Sequence, residues 1–342
     1  MVRRGGPGDE LARLSDDELL ELPLRRLARI LGADPAAGCL ARPIARLFGE
    51  LGAKGVGPRP DLWYSTDFFS PDGVAGFAIP FHLAHPRLVA LERRRMGSAE
   101  GASTVALMRL LRHEAGHAIE NALGLGRRRR WREHFGKRSL PYRQSFSADP
   151  SSPDFARNLP MWYAQSHPAE DFAESFAVWL APRSRARGEL SETARAKLAC
   201  VAELVRERGE RRVRERVHRL AELRGTLREH YARRLARRRR EPEWAFSPML
   251  RRAFRAREEE AGSRAAKPLL PKSARELRGV LPARWRNDPY SVTQILVAMR
   301  ERAHVEGLRL RSGDRPPTLR SMGRAVTETL DGLARGEGRI GR

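Results

Sequence analysis

The chain has 342 residues, enough for a sizeable core and one catalytic-sized domain with an appendage. Lys and Arg number 66 against 42 Asp and Glu, a net charge of +24 carried almost wholly by arginine, which favours anionic partners such as nucleic acid, although an Arg-over-Lys compositional bias would give the same balance. No run of about 18 apolar residues occurs, which excludes a membrane-spanning helix, and the isolated Cys39 and Cys200 exclude a disulfide framework and are expected as buried thiols in a reducing compartment.

The N-terminus runs into a charged segment without an apolar h-region, so a soluble, cytoplasmic protein is expected. Ser15 followed by Asp16, Asp17 and Glu18 has the form of a helix start. Two further helical patterns follow, Leu24, Leu27, Ile30 and Leu31, then Ile44, Leu47 and Phe48 within 40–51. From Asp61 the composition changes. Aromatic residues precede the turn Ser70-Pro71-Asp72-Gly73, and the runs 74–81 and 87–91 have the form of short strands. A small sheet at this place has an outer strand able to pair with an extended peptide. His82 and His85 are expected as plain loop histidines.

The apolar segment 103–123 contains His113-Glu114-Ala115-Gly116-His117. Two histidines four apart on a helix share a face, so both imidazoles can reach one small cation, with Glu114 able to contact a water beside it. This is the His-Glu-x-x-His pattern of zinc peptidases. Gly124-Leu125-Gly126 ends that helix, and Arg127–Arg130 is expected as a solvated cluster at its negative end. A Pro/Ser-rich connection over 135–160 has the length of a functional rim or lid.

Pro168 suits a first helical position, and Phe172, Phe176 and Trp179 form a buried stripe along the helix it begins. Glu170 and Glu174 share another face. Two carboxylates on a largely apolar helix call for a cation or partner, which draws this helix toward His113 and His117. Metzincins place Gly and His three and six residues after the second His; here those positions hold Glu120 and Leu123, so that class is excluded. A carboxylate from a later helix remains as third ligand, Glu170 or Glu174. His167 is foremost a residue where the helix begins and, second to that, a candidate oxyanion donor.

The segment Glu170-Asp171-Phe172-Ala173-Glu174-Ser175-Phe176 resembles the ligand helix of lethal-factor-type gluzincins. That resemblance implies Glu170 as third ligand, Glu174 as the acid that orients a ligand histidine, and Tyr163, seven residues before Glu170, as a transition-state donor. The longer context, from Phe69-Ser70-Pro71-Asp72-Gly73 through Pro80-Phe81-His82-Leu83-Ala84-His85-Pro86 to Trp179, resembles a bacterial family of zinc-binding metallopeptidases across residues 14–185, and nothing identifiable after about residue 207. It implies one Zn²⁺ per chain held by His113, His117 and Glu170, with Glu114 as general base, acting on a peptide or protein substrate.

Beyond Pro182 the chain is expected to be helical and basic. Val213, Val217, Leu220, Leu223, Leu227, Tyr231 and Leu235 keep helical spacing, another helix is expected over 290–305, and the tail after Leu333 has the composition of a disordered segment. The expected architecture is α+β: an N-terminal helical segment (1–50), a mainly helical zincin-like core with a small sheet before the His-Glu-x-x-His helix (51–205), and a basic helical extension (206–342) able to meet an anionic partner. A zinc amidase is a neighbouring possibility. The alternative from another class is a nucleic-acid-binding protein with a structural or inactive zinc site, supported by charge and opposed by the absence of any recognised nucleic-acid-binding motif.

Overall fold

A computed structural model describes residues 7–182, 190–207, 224–241, 244–256 and 263–341. Four helices come first: α1 (Pro7–Arg13), α2 (Asp16–Glu21), α3 (Leu24–Leu31) and α4 (Ala41–Ala53). Ser15 and Glu18 close a reciprocal capping box at the start of α2, as the sequence there requires. Strands β1 (Asp61–Ser65) and β2 (Gly76–Pro80) pair in parallel with Trp63 opposite Ala78. On its other side β2 is met at Ala78 by Phe69, whose carbonyl accepts the Ala78 N–H at 2.8 Å. The outermost segment on that side is therefore the one around Phe69, not a strand of the sheet.

The run 87–91, expected as a strand, is instead the middle of helix α5 (Pro86–Met96). His85 accepts the Arg87 N–H, Pro86 takes the first turn, and Gly97 ends the helix in the left-handed region. A short apolar run cannot by itself separate strand from helix, and here the flanking cap and stop decide. Helix α6 (Thr104–Leu123) follows, capped by Ser103 and ended by Gly124 at φ 62°. After α7 (Arg129–Phe135), the connection toward α8 (Pro168–Leu180) is irregular except for β3 (Ser145–Phe146) and a short 3₁₀ turn, Tyr163–Ser166.

Helix α9 (Glu192–Glu207) packs on α7 and α8, and α10 (Leu227–Arg239) on α2, α5 and a later helix. Val213, Val217, Leu220 and Leu223 lie outside the described residues; Leu227 and Tyr231 of the same pattern are buried. The remainder comprises α11 (Ser247–Ala253), β4 (Arg255–Ala256), β5 (Arg264–Ala265), α12 (Ala274–Leu277), α13 (Ala283–Arg286), α14 (Pro289–Val305), β6 (Leu308–Leu310), α15 (Leu319–Ala334) and β7 (Ile340–Gly341). Strand β6 lies between β4 and β5. The tail expected to be disordered instead returns to the body, where β7 pairs antiparallel with β3, Phe146 opposite Ile340.

The result is a mainly helical α+β fold with small sheets. Its larger apolar core runs from Leu11 to Tyr231 and includes Ile44, Phe77, Leu111, Phe172 and Val201. A second core is built from Phe246, Trp285, Ile295, Met299, Val326 and Ile340, and it also takes in Phe146 and Trp162 from the connection before α8. Among the described residues no helix is long and apolar enough to cross a membrane. Cys200 is buried as expected, whereas Cys39 is exposed.

Candidate metal centre

Helices α6 and α8 are the most extensively packed helix pair, and one glycine permits it. A Cβ on Gly116 would lie 3.0 Å from the Ala173 Cα and 3.2 Å from the Phe176 Cβ. The small residue between the two histidines thus lets α8 approach closely enough for its carboxylates to meet the imidazoles of α6.

Three donor atoms converge there. Glu170 Oε2 lies 3.1 Å from His113 Nε2 and 3.0 Å from His117 Nε2, and the two nitrogens are 3.2 Å apart. His113 Nδ1 lies 2.8 Å from Glu174 Oε1. A carboxylate only accepts, so in the neutral ring the proton sits on Nδ1 and the Nε2 lone pair faces the Glu170 oxygen and His117. Lone pairs converging from three side chains repel unless a cation lies among them. Ligand atoms at ~2.0–2.1 Å from a tetrahedral zinc would be roughly 3.3 Å apart, so this spacing fits a zinc ion with only slight adjustment. The set of two imidazoles and a carboxylate is also the donor chemistry zinc prefers.

Protonation tells the same electrostatic story. Burial opposes charge on His113, yet its hydrogen bonds to Glu170 and Glu174 and their negative charges push its pKa up to about 10. Burial likewise opposes ionisation of Glu170, but His117 and His113 hold its carboxyl well below the usual range. The pocket demands positive charge at its centre.

Glu174 stands behind His113 and is itself fully committed. Its Oε2 accepts the backbone N–H groups of Asn158 (3.0 Å) and Leu159 (2.6 Å), and its Oε1 accepts the Asn158 side-chain amide (3.0 Å) as well as the His113 N–H. The two candidate carboxylates therefore hold different positions: Glu170 lies with both Nε2 atoms, Glu174 on the far side of one ring. Asn158 and Leu159 carried no sequence signal, because a loop contact 15 or 16 residues from its partner follows no helical or strand period.

Glu114 is buried at 6 % exposure, and its Oε2 has no hydrogen-bond partner among the described residues. Burial raises its pKa; His113 and His117 pull it down, and Glu170 pushes it up, for a net rise. A carboxylate so placed is suited to accept a proton near neutral pH. The Tyr163 ring lies 5.6 Å from that of His113, between centroids. It is preceded by Met161 and Trp162 at φ 60° and 52°, the only non-glycine residues with positive φ among those described. Bulky residues in this region are strained by about 1–3 kcal/mol each, a cost that persists only where the surroundings impose it.

These groups line a cavity of about 290 Å³ whose walls include His113, Glu114, His117, Tyr163 and Glu170, with Phe68, Phe69, Ser70, Asp72, Arg138 and Tyr142 toward the mouth. The rim is tied to α6 through Asn121, whose side chain donates to the Pro71 and Val74 carbonyls and accepts the Gly73 N–H. Arg138 bridges buried Glu120 and exposed Asp72. The Pro/Ser-rich connection thus does form part of the rim, through Arg138 and Tyr142.

The remaining candidate histidines lie elsewhere. His167 caps α8, accepting the Ala169 N–H at Nδ1 and donating from Nε2 to the Leu140 carbonyl, so both nitrogens are used. His85 caps α5 in the same way, and His82 contacts the Glu100 carbonyl at 2.9 Å. The two His-Pro pairs of this chain are helix starts.

Residues 78–235 match the model of a family described as "Putative zinc-binding metallo-peptidase". The match begins in β2, contains the whole donor set and ends within α10, so it reaches further toward the C-terminus than the resemblance read from the sequence. Comparison with curated proteins and with solved structures gave no match.

Proposed function

We propose that the chain is a zinc-dependent peptidase that hydrolyses peptide or protein amide bonds. The observation that carries this reading is the convergence of His113 Nε2, His117 Nε2 and Glu170 Oε2 beside the unpartnered, buried carboxylate of Glu114, at the floor of a cavity open to substrate. His113, His117 and Glu170 would hold the ion. A zinc ion bound there supplies Lewis acidity, making water acidic near neutral pH and polarising the scissile carbonyl.

The side chains divide the remaining work. Glu114 accepts the proton of the attacking water at its free Oε2 and later delivers it to the leaving amine, for which a raised pKa is an advantage. Tyr163 donates its hydroxyl proton as a hydrogen bond to the oxygen that gains charge. Glu174 holds the Nδ1–H of His113, which fixes the tautomer and turns the other nitrogen toward the ion. Phe68 and Phe69 limit water at the mouth. Several arginines of the body serve the fold by meeting acids: Arg112 grips Glu50, Arg130 meets Glu203 and Glu207, and Arg234 meets Glu92.

The test is Glu114→Gln, with zinc content and cleavage of a random peptide library measured on both proteins. The variant should bind one zinc per chain and lose about 10²–10⁴-fold in turnover. Undiminished cleavage would remove Glu114 as the base. A native chain that binds no zinc would remove the reading altogether.

A further inference from the structure

The residues after 244 lie outside the family match, yet they contact the loop that serves the metal centre. That loop runs from Arg157 to Tyr163. Asn158 and Leu159 donate their N–H groups to Glu174, and Met161 and Trp162 are the strained pair that precedes Tyr163. On the α6 side Asn158 donates its side-chain amide to the Arg109 carbonyl at 3.2 Å; the restraints on Met161 and Trp162 come from the second core and from α14. Gln294 on α14, buried at 7 % exposure, accepts the Met161 N–H at 3.0 Å. Tyr290, one turn earlier, donates its hydroxyl to the Leu159 carbonyl at 3.0 Å. Trp162 is buried in the second core with its ring edge-on to Tyr290, and Met161 packs against the same core. Arg157 lies over the Tyr290 ring and reaches Asp288, the cap of α14.

We infer that Gln294 and Tyr290 of α14 are positioning residues for the metal centre, holding the left-handed Met161–Trp162 pair so that Tyr163 faces the cavity and the Asn158–Leu159 amides face Glu174. The physical case is a balance. A left-handed conformation at two bulky residues relaxes unless it is over-determined. Here the backbone N–H of the first is fixed by Gln294, the carbonyl two residues earlier by Tyr290, and both strained side chains by apolar packing. Relaxation at Met161 would rotate the peptide that leads into Tyr163, and the same movement would draw Leu159 away from Glu174. The C-terminal region thus acts as a buttress that reaches the site through this loop. This rests on the role proposed above for Tyr163, and the experiment separates the two.

In the metal-free full-length chain, amide hydrogen exchange is measured at Met161 in the native protein, in Gln294→Met, which keeps side-chain volume but cannot accept at the same place, and in Tyr290→Phe. Exchange should quicken at least about tenfold in Gln294→Met. With zinc saturating, turnover of a quenched-fluorescent peptide chosen from a library for cleavage by the native chain should fall about tenfold or more in Gln294→Met, with KM nearly unchanged. The decisive comparison is with Tyr163→Phe: once the hydroxyl is gone, adding Gln294→Met should cost clearly less than it does in the native chain, because the share of its effect that passes through Tyr163 is already lost. Tyr290→Phe should show the same pattern more weakly and stands in if Gln294→Met does not fold. Unaltered exchange, unaltered turnover, or losses that multiply across the double variant would each overturn the inference. A Tyr163→Phe protein of native turnover would overturn it together with the role of Tyr163, leaving Glu114 and the donor set to be judged by the Glu114→Gln test.

Discussion

Two buried clusters of the larger core use the same residue types to opposite ends. At the metal centre His113 and His117 face Glu170, and the imidazole pKa values are raised. Around α5 and α10, His82 and His230 lie near Glu92 and Arg234, and their imidazole pKa values are lowered, that of His230 to about 4. Burial penalises the imidazolium in both places. The difference lies in the partners. In the first cluster carboxylate oxygens touch the ring nitrogens directly, at 2.8–3.1 Å. In the second, Arg234 takes Glu92 at 2.7 Å, while His82 stands 3.9 Å from the same carboxylate. One cluster gathers ring nitrogens and a carboxylate oxygen at one point and is suited to a cation; in the other a guanidinium already meets the carboxylate, while His82 Nδ1, Glu92 Oε2 and His230 Nε2 have no hydrogen-bond partner among the described residues. A list of buried histidines and glutamates would not separate them.

Zinc itself should give the largest contrast. At a free concentration a thousandfold above its Kd, zinc should stabilise the folded chain by about 4 kcal/mol. In His113→Ala that stabilisation should vanish, and in His82→Gln it should persist in full. Thermal melts with and without zinc measure both, and a zinc-dependent shift that survives His113→Ala would break the contrast.

Next in size is Arg234→Met. Removing the guanidinium leaves Glu92, with its side chain 2 % exposed, as a buried charge without its partner, at a cost of about 3 kcal/mol. Denaturant unfolding should show that loss equally with and without zinc. A loss that zinc reverses would mean that the two clusters are coupled.

Acid should act on the second cluster by a smaller amount. The pKa of His230 is depressed, first by burial and then by the Arg234 charge, so the unfolded chain binds the proton better than the folded one. Stability is therefore complete above about pH 6.5 and declines as pH falls toward 4. Taking the shift from 6.5 to about 4, the deficit at pH 5 is about 2 kcal/mol relative to pH 8. His230→Phe should flatten this part of the profile. An unchanged acid slope in that variant would assign the effect to other groups.

How much was legible before folding depended on the range of each signal. Ser15 with Glu18, Gly124 and Pro168 marked helix ends because a cap acts on the turn next to it. His113 and His117 were legible for the same reason, being one turn apart. The run 87–91 was misread since its apolar pattern is too short to carry a period, and the His85 cap went unrecognised because histidine is an uncommon capping residue. The tail after Leu333 looked disordered by composition, yet pairing with β3 orders its end.

By itself the sequence determined the chemistry on offer: two imidazoles and a base on one helix, and two carboxylates on another. Each depends on spacings of three or four residues, which helical geometry converts directly into a shared face. Tertiary structure alone decided the rest. It separated Glu170 from Glu174 by the side of His113 each one occupies. It supplied the Asn158 and Leu159 amides, closed the rim with Arg138 and Tyr142, and brought Gln294 against Met161 from 133 residues away. Contacts of that span are set by the packing of two cores against each other, and no local periodicity encodes them.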